Sequence, residues 1–276
     1  MLRALQVTSQ GYHQWRHSVG RRREREAQKQ RILDQIRVSH SNSFGIYGRI
    51  RIHRDLQEEG IAVSEKTVGK IMREEGIRSK TSKKFKATTN SNHKQPVSEN
   101  ILDRDFTADS PNQKWVGDIT YIGTDQGWLY LAVVIDLFSR KVVGWSLGDR
   151  MTSDLVCNAM NMAITSRGKV ADVLCHFDRG SQYASHIFQA LLKKHGFTCS
   201  MSRRGNCWDN AVAESFFRSL KVESIYSEKF QTRNCARTAI FKWLECFYNT
   251  TRRHSSIGYV SPLEFERRYY MGLKAA

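Results

Sequence analysis

The chain has 276 residues, 40% of them apolar, which is enough for one full-sized domain and a smaller companion, each with its own core. Its 44 Lys and Arg outnumber 27 Asp and Glu to give a formal charge of +17, a balance that favours a polyanionic partner and nucleic acid first. No apolar run approaches the roughly 20 residues that span a bilayer, and the N-terminus lacks the apolar stretch of a secretory signal, so the expectation is a cytoplasmic, nucleoid-associated protein with no membrane partner.

The charge is uneven. Residues 1–100 hold 21 Lys and Arg against 10 Asp and Glu, a net of +11, and the other 176 residues add only +6. "RRREREAQKQRILDQIR" (21–37) reads as a basic helix with Ile32, Leu33 and Ile36 on its apolar side. "YGRIRIHRDLQEEG" (47–60) ends at a Gly suited to a helix C-cap. In "IAVSEKTVGKIMREEGI" (61–77) Ser64 is the N-cap, Glu65 suits the first turn, and Val68, Ile71 and Met72 form the buried stripe. Two short helices joined by a tight turn over about 41–77 suggest a helix-turn-helix. Its second helix, 65–75, would carry Lys66, Lys70 and Arg73 to DNA. Residues 1–78 thus form a helical DNA-binding region, and 79–112, polar and without apolar period, read as a basic linker. There Lys80, Lys83, Lys84 and Lys86 either track a phosphate backbone or are simply solvated.

From residue 113 the texture changes. "KWVGDITYI" (114–122), "WLYLAVVID" (128–136) and "KVVGWSLG" (141–148) are rich in β-branched and aromatic residues and read as three consecutive antiparallel strands. A helix at about 153–166, a strand at 172–178, a helix at about 184–195 and a strand at 197–202 follow, and then a helix beginning after Asp209 and Asn210. That order points to an α/β chain with a ribonuclease-H-like mixed sheet over 113–225, a small all-α segment before it and a helical extension over 226–276. The six cysteines contain no C-x-x-C pair, and none precedes residue 157 to complete a zinc site with His13 and His17, so they are expected to be reduced and mostly buried.

In such a sheet the first and fourth strands are neighbours, which places Asp118 beside Asp178. Two carboxylates in an apolar setting repel unless a divalent cation resolves both costs, and Mg²⁺ takes hard oxygen ligands. Glu214, on the helix after the fifth strand, would reach the same point as a third ligand. Each acid alone has a plainer reading: a strand polar residue, a turn residue before Arg179-Gly180, and a solvated helix face shared with Arg218 and Lys221.

"WVGDITYI", "VVIDLFSRKVVGW", "CHFDRGSQYAS" and "SRRGNCWDNAVAESFFRSLKVE" resemble the DDE catalytic core of OrfB-type insertion-sequence transposases and, more distantly, retroviral integrases. The 35 residues between Asp178 and Glu214 match that core's spacing, and Lys221 fits its basic residue seven past the Glu. "YNTTRRHSSIGYVSPLEFE" (248–266) resembles the family's C-terminal motif. Phe177 departs from it, standing where Ser is usual. Asp136 also recurs in the family but begins a hairpin turn, where a structural role is expected. His176 either orients a ligand or packs, and Trp208 either stacks on a base or caps the core.

The resemblance and the residues together imply a transposase in which Asp118, Asp178 and Glu214 hold two Mg²⁺ ions, Mn²⁺ being able to substitute. It would cut element ends and join them to target DNA, with Lys66, Lys70, Arg73, Arg218 and Lys221 on phosphates. The resemblance further implies a homo-oligomer on DNA and an OrfA partner or frameshift fusion. The competing readings are a metal-dependent nuclease on the same fold, and a DNA-binding regulator with a vestigial core.

Overall fold

The computed structural model describes residues 7–80, 98–203 and 207–272. The chain divides into two compact units, Met1–Lys80 and Thr81–Ala276.

In the first unit α1 spans Ser9–Asn42, much longer than the expected 21–37, because the Thr8 hydroxyl caps it by accepting from Gly11 N at 3.1 Å. It buries only Ile32, Leu33, Ile36 and Ser39, all in its second half. Against that half pack α2 (Arg49–Glu58), through Ile52 and Leu56, and α3 (Glu65–Glu74), through Val68, Ile71 and Met72. Gly60, with φ +76°, closes α2, and Ser64 caps α3 by accepting from Thr67 N at 3.2 Å. The expected helix-turn-helix is therefore present, and Lys66, Lys70 and Arg73 are exposed on its second helix.

The second unit is built on a five-stranded sheet: β1 Lys114–Thr124, β2 Gly127–Asp136, β3 Val142–Gly148, β4 Leu174–Phe177 and β5 Thr198–Met201. The strand order is β3-β2-β1-β4-β5, with β1, β2 and β3 antiparallel and β4 and β5 running parallel to β1. This is the ribonuclease-H-like arrangement that the order of elements predicts. Helices α4 (Ser153–Arg167) and α5 (His186–Lys194) bury one face through Met160, Ala163, Phe188 and Leu192 against Trp115, Val134, Cys175 and Phe177. Alternate positions, among them Val116, Ile122, Leu131 and Val133, are buried on the opposite face, where α6 (Ala211–Leu220) and α7 (Arg233–Phe241) contact β1 and β2.

One domain expectation needs correction. Residues 81–97, including Lys83, Lys84 and Lys86, lie outside the described residues. Residues 98–112, however, are not linker: Leu102 is 2% exposed, and the Glu99 carbonyl accepts from Met201 N at 3.2 Å on the outer edge of β5. A polar sequence concealed this strap because much of its attachment is made by backbone groups, those of Glu99, Ile101 and Leu102.

The C-terminal residues, expected as a helical extension, are helical and pack back on the sheet. Asn249 pairs with the backbone of Val142 on edge strand β3, accepting from its N–H and donating to its carbonyl, both at 3.0 Å. From α8 (Pro262–Tyr270), Glu266 accepts from Ser139 Oγ at 2.7 Å and from Arg167 Nη1 at 2.9 Å. Arg167 also reaches Asp136 Oδ2 at 3.1 Å, and Asp136 accepts from the backbone N–H of Asn112 and Phe138. Asp136 is fully buried in this network and has the structural role expected of it. Of the described cysteines, Cys157 and Cys175 are buried while Cys235 and Cys246 are exposed, so burial is less general than expected.

Candidate active site

β4 pairs with β1 only over Lys114–Val116. From Gly117 onward β1 has no β4 neighbour, and Asp118 is the second residue of that open stretch. Asp178 follows the last residue of β4, so both acids stand at the C-terminal end of the parallel pair, where open α/β sheets form their crevices. Asp118 accepts from Ile119 N at 2.8 Å, and Asp178 Oδ1 accepts from Gly180 N at 2.9 Å. A Cβ on Gly180 would lie 2.9 Å from that same Asp178 oxygen, so only glycine fits this turn without a shift.

Burial pushes the Asp118 carboxyl well above the ordinary carboxylate range, and the neighbouring Asp178 pushes it further. Glu214 adds a smaller push in the same direction, and Lys221 opposes them. Glu214 is exposed on the first turn of α6, its own carboxyl raised by partial loss of solvent. Among the described residues no three His, Cys, Asp or Glu side chains converge as a ligand set. The two aspartates are thus brought together, and Glu214 stands within their electrostatic reach without closing on them.

Lys221 is not on a solvated face. It is 6% exposed, because α6 ends at Leu220 and passes into a π-helical turn, Lys221–Ile225, that changes the direction of the following side chains. Its ammonium lies 5.1 Å from the centre of the Tyr121 ring, and burial lowers its pKa while Asp118 acts to raise it. Arg218 remains exposed, so the two basic residues do not share a surface.

Phe177 is fully buried, stacked on Tyr183 at 4.5 Å and edge-on to Phe188 at 5.1 Å. Gly117 makes room for it: a Cβ there would meet the Phe177 ring at 2.7 Å. Sequence reasoning did not single out Tyr183. Its hydroxyl is buried without a hydrogen-bond partner, and both aspartates push its pKa upward, so it lies beside the pair. The signal available was its position five residues after Asp178. Two adjacent carboxylates with a third nearby are hard-oxygen donors that suit a divalent cation.

His176 packs and does not reach the acids through its ring. Ser200 Oγ accepts from Ile101 N at 2.9 Å and Leu102 N at 3.1 Å, so its own proton goes to His176 Nδ1 at 2.8 Å. That leaves the ring proton on Nε2, directed to Ser202 Oγ at 3.1 Å. Burial lowers the His176 pKa to about 4, with Asp209 partly offsetting it. Trp208 is 69% exposed and therefore does not cap the core.

Three family models match the chain: an HTH-like domain over residues 27–85, and two described as integrase core domain over 108–207 and 195–262. Transposase InsF for insertion sequence IS3A of Escherichia coli (strain K12) is 46% identical over 97% of this chain and 93% of its own length. The chain belongs to the InsF-type insertion-sequence transposases. A further relative, the insertion element IS600 uncharacterized 31 kDa protein of Shigella sonnei, is 39% identical over 98% of both chains. Solved structures that resemble this transposase include the HTLV-2 integrase catalytic core domain in complex with magnesium, at 21% identity over 58% of this chain and 99% of that one, TM-score 0.46. Another is a simian T-cell lymphotropic virus intasome in complex with a PP2A regulatory subunit, at 18% identity over 82% and 72%, TM-score 0.49. The protein is accordingly a DNA transposase, a polynucleotidyl transferase with an integrase core and an HTH-like domain. No helix among the described residues is long and apolar enough to cross a membrane.

Proposed function

We propose that this transposase uses Asp118, Asp178 and Glu214 to hold two Mg²⁺ ions, which when bound neutralise charge at the scissile phosphate and activate the attacking oxygen. The observation that carries this reading is the placement of Asp118 and Asp178 at the C-terminal end of the β1–β4 pair, where β4 leaves β1 uncovered, with the Asp118 carboxyl raised by burial and by Asp178 in support. A carboxylate so placed gains most from a cation. Asp118 and Asp178 fix one side of the scissile phosphate on the rigid sheet, and Glu214 approaches from α6. Lys221, buried beside Asp118, offsets one negative charge there, and Arg218, exposed farther along α6, holds a phosphate of the element's end.

Two displacements at phosphorus follow. Water first adds to the phosphorus at the element's end and the P–O3′ bond breaks, leaving a free 3′-hydroxyl. That hydroxyl then attacks a target phosphodiester and releases a target 3′-hydroxyl. Lys66, Lys70 and Arg73 hold DNA through the N-terminal unit, and the working form at the nucleoid is a homo-oligomer on DNA with an OrfA chain as partner or fusion. The +17 charge supports the DNA part of this reading.

A strand-transfer assay on pre-cleaved terminal-repeat duplexes in Mg²⁺ or Mn²⁺ tests it. Joined products are expected. Cutting without joining would mark a nuclease, and neither would mark a regulator.

A further inference from the structure

Asp209 is fully buried, five residues before Glu214, and takes hydrogen bonds from two separate stretches of chain. Arg104 Nε donates to its Oδ1 at 2.9 Å, and Asn100 Nδ2 donates to Oδ2 at 3.1 Å, both from the strap at the edge of β5. Arg203 donates three times: Nη2 to Oδ1 at 2.8 Å, and Nε and the backbone N–H to Oδ2 at 3.0 and 2.9 Å. These bonds, Arg203 foremost, hold the carboxyl well below the usual carboxylate range.

The strap is under backbone strain where it does this. Asp103 and Arg104 are consecutive non-glycine residues with φ of +41° and +65°. A residue so placed is strained and persists only where its surroundings over-determine it. Here those surroundings are visible. Asp103 pairs with Arg203 at 3.3 Å, and Asp103 N donates to Asn100 Oδ1 at 3.1 Å. One residue earlier, Ile101 and Leu102 bind Ser200 Oγ, which in turn bonds His176, two residues before Asp178. The part of the strap from Glu99 to Arg104 therefore braces the end of β4 that carries Asp178 and the turn that launches the helix carrying Glu214.

We infer that the Asn100–Arg104–Asp209 clamp is a positioning device, setting where α6 starts and so how far Glu214 stands from Asp118 and Asp178; this rests on Glu214 being a metal ligand. Asp209 is the positioning residue and Arg104 the lever that can be removed safely, since its side chain is 46% exposed while that of Asp209 is inaccessible.

The test uses the full-length protein and two measurements on Arg104→Ala. Amide hydrogen exchange without metal should rise over residues 208–214 and stay unchanged over β1, β2 and β3; no local rise would overturn the clamp. Mn²⁺ binding followed by electron paramagnetic resonance should weaken about tenfold, as for other residues that orient ligands from behind. Arg104→Lys should recover part of both effects. In a Glu214→Gln background Arg104→Ala should weaken Mn²⁺ binding no further, and an equal loss there would show that Arg104 does not act through Glu214. If Glu214→Gln alone leaves Mn²⁺ binding unchanged, the metal role of Glu214 fails, and the exchange result still decides the clamp.

Discussion

The side-chain amide of Asn210 donates to the carbonyl of Gly117 at 3.3 Å, so the residue that starts α6 is bonded to the strand position next to Asp118. This bond fills the ladder position on β1 that β4 vacates. Asn210→Ala leaves a buried carbonyl unmatched, at a cost of about 1–3 kcal/mol. A lowered urea midpoint with an unchanged slope should report it, accompanied by a fall in strand transfer larger than the fall in DNA binding.

Asp118→Asn, Asp178→Asn and Glu214→Gln should each abolish cleavage and strand transfer while leaving DNA affinity nearly unchanged. Asp118→Asn should also stabilise the metal-free protein at neutral pH. The folded-state pKa of Asp118 lies above its unfolded value, so the charged form opposes folding, and stability falls as pH rises through that interval. Thermal melts of wild type and variant at pH 7.5 without metal check this; an equal or lower melting temperature for the variant would remove the claim.

His176 titrates the other way. With a folded pKa of about 4 against an ordinary 6.5, the unfolded chain binds the extra proton first, so stability is lost as pH falls from about 6.5 towards 4. The full loss is on the order of 3 kcal/mol. Protonation would also set an N–H at Nδ1 against Ser200 Oγ, both of whose lone pairs already accept from the strap. Urea midpoints across this pH range for wild type and His176→Gln should diverge, with the variant flatter.

Arg252 and Glu223 form a bidentate pair at 2.7 and 2.6 Å, buried at 4% and 8% exposure. Arg252→Ala strands Glu223 in the turn directly after α6 and should cost about 3–5 kcal/mol. Chemical denaturation measures it, and a cost below 1 kcal/mol would mean that water reaches the pair.

The N-terminal unit should supply the salt-sensitive part of DNA binding. Neutralising about six phosphates gives a log–log salt slope near −5, and the triple change of Lys66, Lys70 and Arg73 to Ala should remove about 3 units of it. An unchanged slope would place the DNA elsewhere on the chain.

The strands and helices of the core were legible because their apolar periods are clean: β1 to β5 fall within two residues of where alternation places them. Asp118 and Asp178 could be paired from strand order alone. The environment of Lys221 could not, because seven residues along an ideal α-helix share a face, and the π-helical turn at Lys221 breaks that rule. The strap was illegible for a different reason. Its hold on Ser200 and Asp209 depends on partners about 100 residues away and on a left-handed pair, Asp103–Arg104, for which side-chain period carries no signal.

Both outer strands of the sheet are occupied at a backbone position, β3 by the amide of Asn249 and β5 by the Glu99 carbonyl. A register shift between Val134 and Ile135 further twists the β2–β3 pair. Bare strand edges recruit one another, and the hazard grows with local concentration. The homo-oligomer proposed above would hold several copies on one short piece of DNA at such a concentration. A capped position on each edge strand interrupts the row of backbone groups through which sheets would pair, and the contacts of that proposed assembly then fall to side chains and to the DNA itself.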